Sequence, residues 1–264
     1  MIDTHAHFTR KYPYSLLEVR KQIDRAIEYG LSAVVSVMAE PQGYESAWEA
    51  AIEFPEIFLV MGISRHLALG IKETHWEQLN SYLQQSNPKI VGIGETGLDY
   101  RFNPELPERK KQKEVFTRQI GLALDYDLPL VIHSGKAIND VLNILEMEYS
   151  SNRGGVIHFF TGNLEEAQRA IKLGFYLSFA LPILTDRKMQ RVCNQVPLEW
   201  IVTETDSPFL KPPAGWPGKT SEPACVVEVV KKIAEIKNIS FEEAASATSE
   251  NAARLFGIPA EDAK

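Results

Sequence analysis

Eight short runs rich in Val, Ile and Leu recur along this chain, at Met1–Thr4, Ser32–Val37, Ile57–Ile63, Lys89–Gly94, Pro129–Ile132, Gly155–Ile157, Phe175–Ser178 and Trp200–Thr203. Runs this short, rich in β-branched residues and closed by Gly or polar residues, predict buried strands. The segments between them carry helical spacing. Leu16, Val19, Ile23 and Ile27 share one helix face with Gly30 placed to end it, and Phe116, Ile120 and Ala123 share another. The charged run Glu108–Glu114 beside the latter reads as a solvated helix face. Strands alternating with helices form parallel sheets, and eight such units close a (β/α)8 TIM barrel. The 264 residues suit one barrel, and no repeat or linker divides them, so a single domain over residues 1–264 is expected.

Catalytic groups in such barrels stand at the C-terminal ends of the strands. The fourth run, KIVGIGETGLDY, ends in Glu95 between Gly94 and Gly97. A carboxylate at the tip of a buried strand needs a partner: a salt bridge, a metal or a substrate proton. Other runs end comparably. The first leads to His5 and His7, which period-two alternation puts on one face, and the third leads to His66. The fifth leads to His133, the sixth to His158 and the eighth to Asp206. Of six histidines only His75 reads as an ordinary surface residue. Singly, each has a structural explanation: a hydrogen-bonded core histidine, or a turn aspartate before Ser207-Pro208. Their joint placement on one rim does not. Four imidazoles and two carboxylates exceed one tetrahedral zinc and suit two cations sharing a carboxylate.

Composition excludes several function classes. A formal charge of −7 argues against broad electrostatic binding of nucleic acid, though not against phosphate contacts around bound metal. No apolar run approaches a membrane span, and the opening MIDTHAHFTRKYPYS has no signal-peptide core, so a cytoplasmic location without membrane contact is expected. Cys193 and Cys225 form no metal-binding spacing, read as packing residues and fit a reducing compartment. Nothing in the composition calls for an obligate protein partner.

Six segments in order carry a more specific signal: DTHAH at 3–7, GIGETGLDY at 92–100, PLVIHS at 129–134, HFFTG at 158–162, ETDSP at 204–208 and NAARLF at 251–256. On these segments, which span nearly the whole length, the chain resembles the TatD family of metal-dependent deoxyribonuclease-like hydrolases, within the amidohydrolase-like barrel group. The resemblance implies that His5 and His7 hold one divalent cation and that His133 and His158 hold a second. Glu95 bridges the two, and Asp206 touches the first cation and accepts a proton from the attacking water. Zn²⁺, Mn²⁺ and Mg²⁺ are the candidates, nitrogen ligands favouring the first two. DNA ends or a small phosphodiester are the implied substrates.

Three segments depart from the family pattern. Family members usually read Gly-Val-His-Pro-His after strand three, whereas this chain reads Gly62-Ile63-Ser64-Arg65-His66. The Arg-Asp pair usual after the fifth-strand His-Ser is Gly135-Lys136, and Ser221 replaces an Asn. His66 is then the expected substrate contact, with Arg65 and Lys136 as candidates to replace the charge lost at position 135. The loop Lys211–Glu222, with Trp216, is open to two readings, a substrate wall or a stiff packed connection. Phosphodiester hydrolysis is the first functional reading. Hydrolysis of an amide, lactone or ester on the same metals is the alternative, and a metal-stabilised binding protein is opposed by the complete ligand set with Asp206.

Overall fold

The computed structural model describes residues 1–8, 15–102 and 105–259. Residues 9–14 of the opening stretch lie outside these. In chain order the main elements are β1 (Ile2–Ala6), α1 (Leu16–Glu28), β2 (Ala33–Met38), α2 (Tyr44–Glu53), β3 (Ile57–Met61), α3 (Glu73–Leu83), β4 (Ile90–Asp99), α4 (Leu106–Asp125) and β5 (Leu130–Gly135). They continue with α5 (Ile138–Glu148), β6 (Gly155–Ile157), α6 (Leu164–Lys172), β7 (Phe175–Phe179), α7 (Arg187–Gln195), β8 (Ile201–Thr203), α8 (Val226–Lys237) and α9 (Phe241–Phe256). The eight strands are parallel and ordered β1 to β8. This is the expected (β/α)8 barrel. Among the described residues no helix is long and apolar enough to cross a membrane.

The core divides as alternation on a strand requires. One set of strand residues, including Leu59, Ile93, Leu130, Ile132 and Leu177, packs outward on helix residues such as Phe116, Ile120 and Val141. The other set points inward as a layer of valines, Val35, Val37, Val60, Val91, Val131, Val156 and Val202. Helix α9 plugs this layer with Ala252, Leu255 and Phe256. It is tied to the barrel by Asn251, whose Nδ2 donates to the carbonyls of Leu198 and Ile201 at 2.9 and 2.8 Å. One barrel end is therefore sealed, and the other is left for chemistry. In α1 the buried stripe is Val19, Ile23 and Ala26, whereas Leu16 and Ile27 are exposed.

Strand bounds fall within one or two residues of expectation at six strands. The exceptions are β4, which runs on through Glu95 to Asp99, and β5, which includes His133 and Ser134. Glu95 is thus within a strand, not at its tip. Polar residues keep these ladders because their side chains find partners in the barrel mouth.

Two irregularities re-aim the key side chains. On β1 the pairing steps from Asp3 to Ala6 while β2 steps only from Val34 to Ser36, one extra residue at Thr4–His5. On β4 it steps from Gly94 to Thr96 while β5 advances one residue, and the extra residue is Glu95. An extra residue switches which face the following side chains take. Thr96 consequently turns outward to Gln119 of α4, while Glu95 turns into the barrel mouth. Gly94 permits this path: its φ is +154°, and a Cβ there would lie 2.4 Å from the Val131 carbonyl oxygen.

The β8–β1 seam closes through Asp3. Its Oδ1 accepts from the backbone N–H groups of His5 and Thr205 at 3.2 and 3.0 Å, and its Oδ2 accepts from the Thr205 hydroxyl at 2.6 Å. Asp206 N donates to the His5 carbonyl at 2.9 Å, and His7 N donates to the Ser207 carbonyl at 2.6 Å. This seam sets Asp206 beside both histidines. Asp3→Ala would orphan buried donors, and we expect it to lower unfolding free energy by roughly 3 kcal/mol in urea titration. An unchanged midpoint would contradict this role.

Candidate metal centre

The seven side chains His5, His7, Arg65, Glu95, His133, His158 and Asp206 converge at the open end of the barrel. Glu95 lies at their centre, with its two oxygens facing different imidazole pairs. Oε2 is 3.8 Å from His5 Nε2, which lies 3.2 Å from His7 Nε2. Asp206 Oδ1 completes this side, 3.9 Å from His5 Nε2 and 3.8 Å from His7 Nε2. Oε1 is 2.9 Å from His133 Nδ1 and 3.2 Å from His158 Nε2, and those nitrogens are 3.1 Å apart. Ligands about 2.1 Å from a tetrahedral cation stand roughly 3.4 Å from one another. His5, His7 and Glu95 on one side, and Glu95, His133 and His158 on the other, each fit a small divalent cation in donor chemistry and in spacing, and Asp206 forms a third such group with His5 and His158.

Supporting contacts orient the imidazoles. Asp99 Oδ2 lies 3.0 Å from His133 Nε2, which leaves Nδ1 to face Glu95. Glu204 Oε1 lies 3.4 Å from His158 Nδ1 and accepts from Phe159 N at 2.7 Å. His5 and His158 stack with centroids 3.9 Å apart. Such carboxylate partners are what metal-binding imidazoles usually have.

Burial dominates the electrostatics. It lowers His5 well below its usual range, with His158 adding to the effect, and it lowers His7 to about 4. His133 is lowered too, by burial and by the Arg65 charge. A neutral imidazole is the form that binds metal. At His158 the burial penalty is outweighed by Glu95 and Glu204, which raise it to about 10. At Glu95 burial is likewise outweighed, by Arg65, His158 and hydrogen bonds from His133 and His158, so its carboxylate is held well below the usual range. Asp206 goes the other way. Burial, with Glu204 and Glu95 nearby, raises it to about 7.

The site opens into a cavity of about 420 Å³ whose wall includes His7, Arg65, Glu95, His133, His158 and Asp206. His66 also lines it, half in solvent, with Nδ1 2.7 Å from Ser64 Oγ and Nε2 2.6 Å from Glu40. Lys136 does not line it, but stands exposed in a left-handed turn after β5. Arg101 takes that place on the wall, paired with Asp99 through Nη2 at 2.6 Å. The pair also accounts for Gly135, where a Cβ would lie 2.5 Å from Asp99 Oδ1 and 2.8 Å from Arg101 Nε. Gly135 thus leaves room for the Asp99–Arg101 pair at the end of β4.

Trp216 packs on Tyr29 at 5.1 Å and donates to Glu222 at 3.2 Å, so the stiff-connection reading holds for it. Ser221 ties the same loop to the Leu210 carbonyl at 2.7 Å. The aromatic walls of the cavity are Phe159 and Phe209, the latter edge-on to His7 at 4.9 Å. Sequence reading did not single out Asp99, Arg101, Glu204 or Phe209. The signal available was position, since Asp99 closes β4 four residues after Glu95 and Glu204 precedes Asp206 by two.

Comparison with known proteins follows the same lines. A family model described as TatD related DNase matches residues 2–257. The uncharacterized metal-dependent hydrolase YabD of Bacillus subtilis is 37% identical over 261 residues, covering 98% of this chain and 99% of that protein. The crystal structure of YjjV, a TatD homolog from Escherichia coli, superposes with a TM-score of 0.88 at 27% identity, covering 98% of each chain. A TatD-family hydrolase from Entamoeba histolytica shares the fold, with a TM-score of 0.83 at 20% identity over 97% of each chain.

The Asp206 environment has a measurable consequence. Its folded value near 7 exceeds the ordinary 3.8, so its stabilising contribution is full below about pH 4 and is lost as pH rises through about 7. In chelator-treated protein, the stability of wild type relative to Asp206→Asn should fall across that window by on the order of a few kcal/mol. Parallel profiles in pH-dependent urea unfolding would contradict the assignment.

Proposed function

The chain belongs to the TatD-related DNase family of metal-dependent hydrolases, and from that premise we propose that it hydrolyses phosphodiester bonds of DNA ends or small nucleotides at a two-cation centre. The observation that carries this reading is the division of Glu95, with Oε2 facing His5 and Oε1 facing His133 and His158. His5, His7 and Asp206 would hold one cation, His133 and His158 the other, and Glu95 would join them. Zn²⁺ or Mn²⁺ suits four nitrogen donors better than Mg²⁺ does. Bound there, such cations lower the pKa of water and polarise a phosphoryl oxygen.

The chain's own residues supply the remainder. Asp206 stands on the cavity wall with its proton affinity raised into the neutral range, which suits a general base receiving the proton of an attacking water. Asp99 and Glu204 orient His133 and His158 from behind. Arg65, Arg101 and His66 place donors on the wall where phosphate oxygens would lie, and Phe159 and Phe209 offer apolar faces to a sugar or base. A cavity of about 420 Å³ suits the end of a strand or a small nucleotide better than a duplex. Two free, buried cysteines fit a reducing compartment such as the cytoplasm.

The alternative, hydrolysis of an amide, lactone or ester, is favoured by one observation, the acidic balance of −7. Substrate panels separate the two. With added Mn²⁺ or Zn²⁺, wild type should release nucleotides from single-stranded DNA and cleave bis(p-nitrophenyl) phosphate. Asp206→Asn and Glu95→Ala should each lower that rate by about 10²- to 10⁴-fold. Metal-loaded wild type that leaves both phosphodiesters intact but opens a lactone or amide would overturn the nuclease reading.

A further inference from the structure

Arg65 begins the 3-10 turn Arg65–Gly70 after β3, and its side chain is only 16% exposed. Its Nη1 donates to Glu95 Oε1 at 2.5 Å, and its Nε lies 3.7 Å from Asp99 Oδ2. Glu95 Oε1 is the same atom that faces His133 Nδ1 and His158 Nε2. The guanidinium therefore occupies the oxygen on which a second cation would depend. A divalent ion and a guanidinium on one buried oxygen repel each other strongly, because little solvent lies between them. Glu95 Oε2 is different, since its surroundings are His5 and, beyond it, His7 and Asp206. The two halves of the centre are thus unequal in charge.

We infer that Arg65 is a built-in competitor for the cation position formed by Glu95 Oε1, His133 and His158, so that the two positions load with unequal affinity. This inference rests on the two-cation reading above. Loading the second position requires Arg65 to leave Glu95 Oε1, and the chain provides a destination. A neighbouring cavity of about 220 Å³ is lined by Arg65 itself with Asp99, Arg101 and Phe102, and Asp99 is already within reach of Nε. Arg65 moved there keeps a carboxylate partner and stays on the wall of the main cavity. Arg65 is in this sense a positioning residue that acts through Glu95, and it sets metal stoichiometry at a given metal concentration.

The test is Mn²⁺ titration by calorimetry, with Zn²⁺ chelator competition beside it, on full-length wild type, Arg65→Gln and Arg65→Pro. Gln keeps a donor and loses the charge. Pro suits the first position of the turn, since Ser64 before it is already extended at φ −65° and ψ 142°. Wild type should bind one equivalent at least tenfold more tightly than the second. Either folded variant should tighten the second equivalent at least tenfold and leave the first within about threefold. Equal affinities in wild type, or a second equivalent unchanged in both variants, would overturn the inference while leaving the two-cation reading standing. Absence of any binding in wild type would overturn both.

Discussion

Glu95 is an ionised carboxylate turned into the mouth of a valine-lined barrel, and most of the surrounding architecture serves to keep it there. An unpaired buried charge costs several kcal/mol, so every oxygen must be matched. The matching groups come from four other strand ends, His5 from β1, Arg65 after β3, His133 from β5 and His158 after β6. None of these contacts is local in sequence. The closed parallel sheet brings them together, and α9 makes that possible by sealing the opposite end with apolar side chains. A barrel with both ends open would leave the cluster in water, where His5, His7 and His133 would not be held neutral by burial.

The same constraint explains the irregular strands. Continued without a break past Gly94, β4 would send Glu95 outward to the helices, as Thr96 is sent to Gln119. One extra residue on β4 and one on β1 reverse this at Glu95 and His5. The seam at Asp3 then sets Asp206 beside His7 by backbone hydrogen bonds, so the two carboxylates of the centre are fixed by independent means. Asp206 and Glu95 consequently differ in character. Glu95 is surrounded by positive partners and remains charged, while Asp206 has few and holds a proton more readily. Two carboxylates with proton affinities pushed apart suit one structural and one proton-accepting role.

Much of this was legible in the chain. Hydrophobic runs located all eight strands, and the polar residues closing them pointed to one rim. Periodicity could not reveal the extra residues, because β1 and β4 are buried along their whole length and no alternation of polar and apolar residues marks their phase. The ends of β4 and β5 were misplaced for a related reason: Glu95 to Asp99 and His133 to Ser134 read as loop by polarity, yet continue the ladder. Arg101 was missed because its role depends on Gly135, a neighbour 34 residues away in the chain that leaves room for the Asp99–Arg101 pair. Lys136 looked equivalent by charge, but its backbone turns it to solvent. Trp216 and Phe209 could not be ranked as wall residues from sequence, since both lie in the same irregular segment after Asp206.

Everything proposed for this centre depends on Glu95 joining two cations. The direct measurement is an anomalous-difference map from crystals equilibrated with millimolar Mn²⁺ or Zn²⁺. Two peaks are expected, one bounded by His5, His7, Asp206 and Glu95 Oε2, the other by His133, His158 and Glu95 Oε1. A map with no peak within coordination distance of Glu95, while Arg65 still holds its carboxylate, would contradict this.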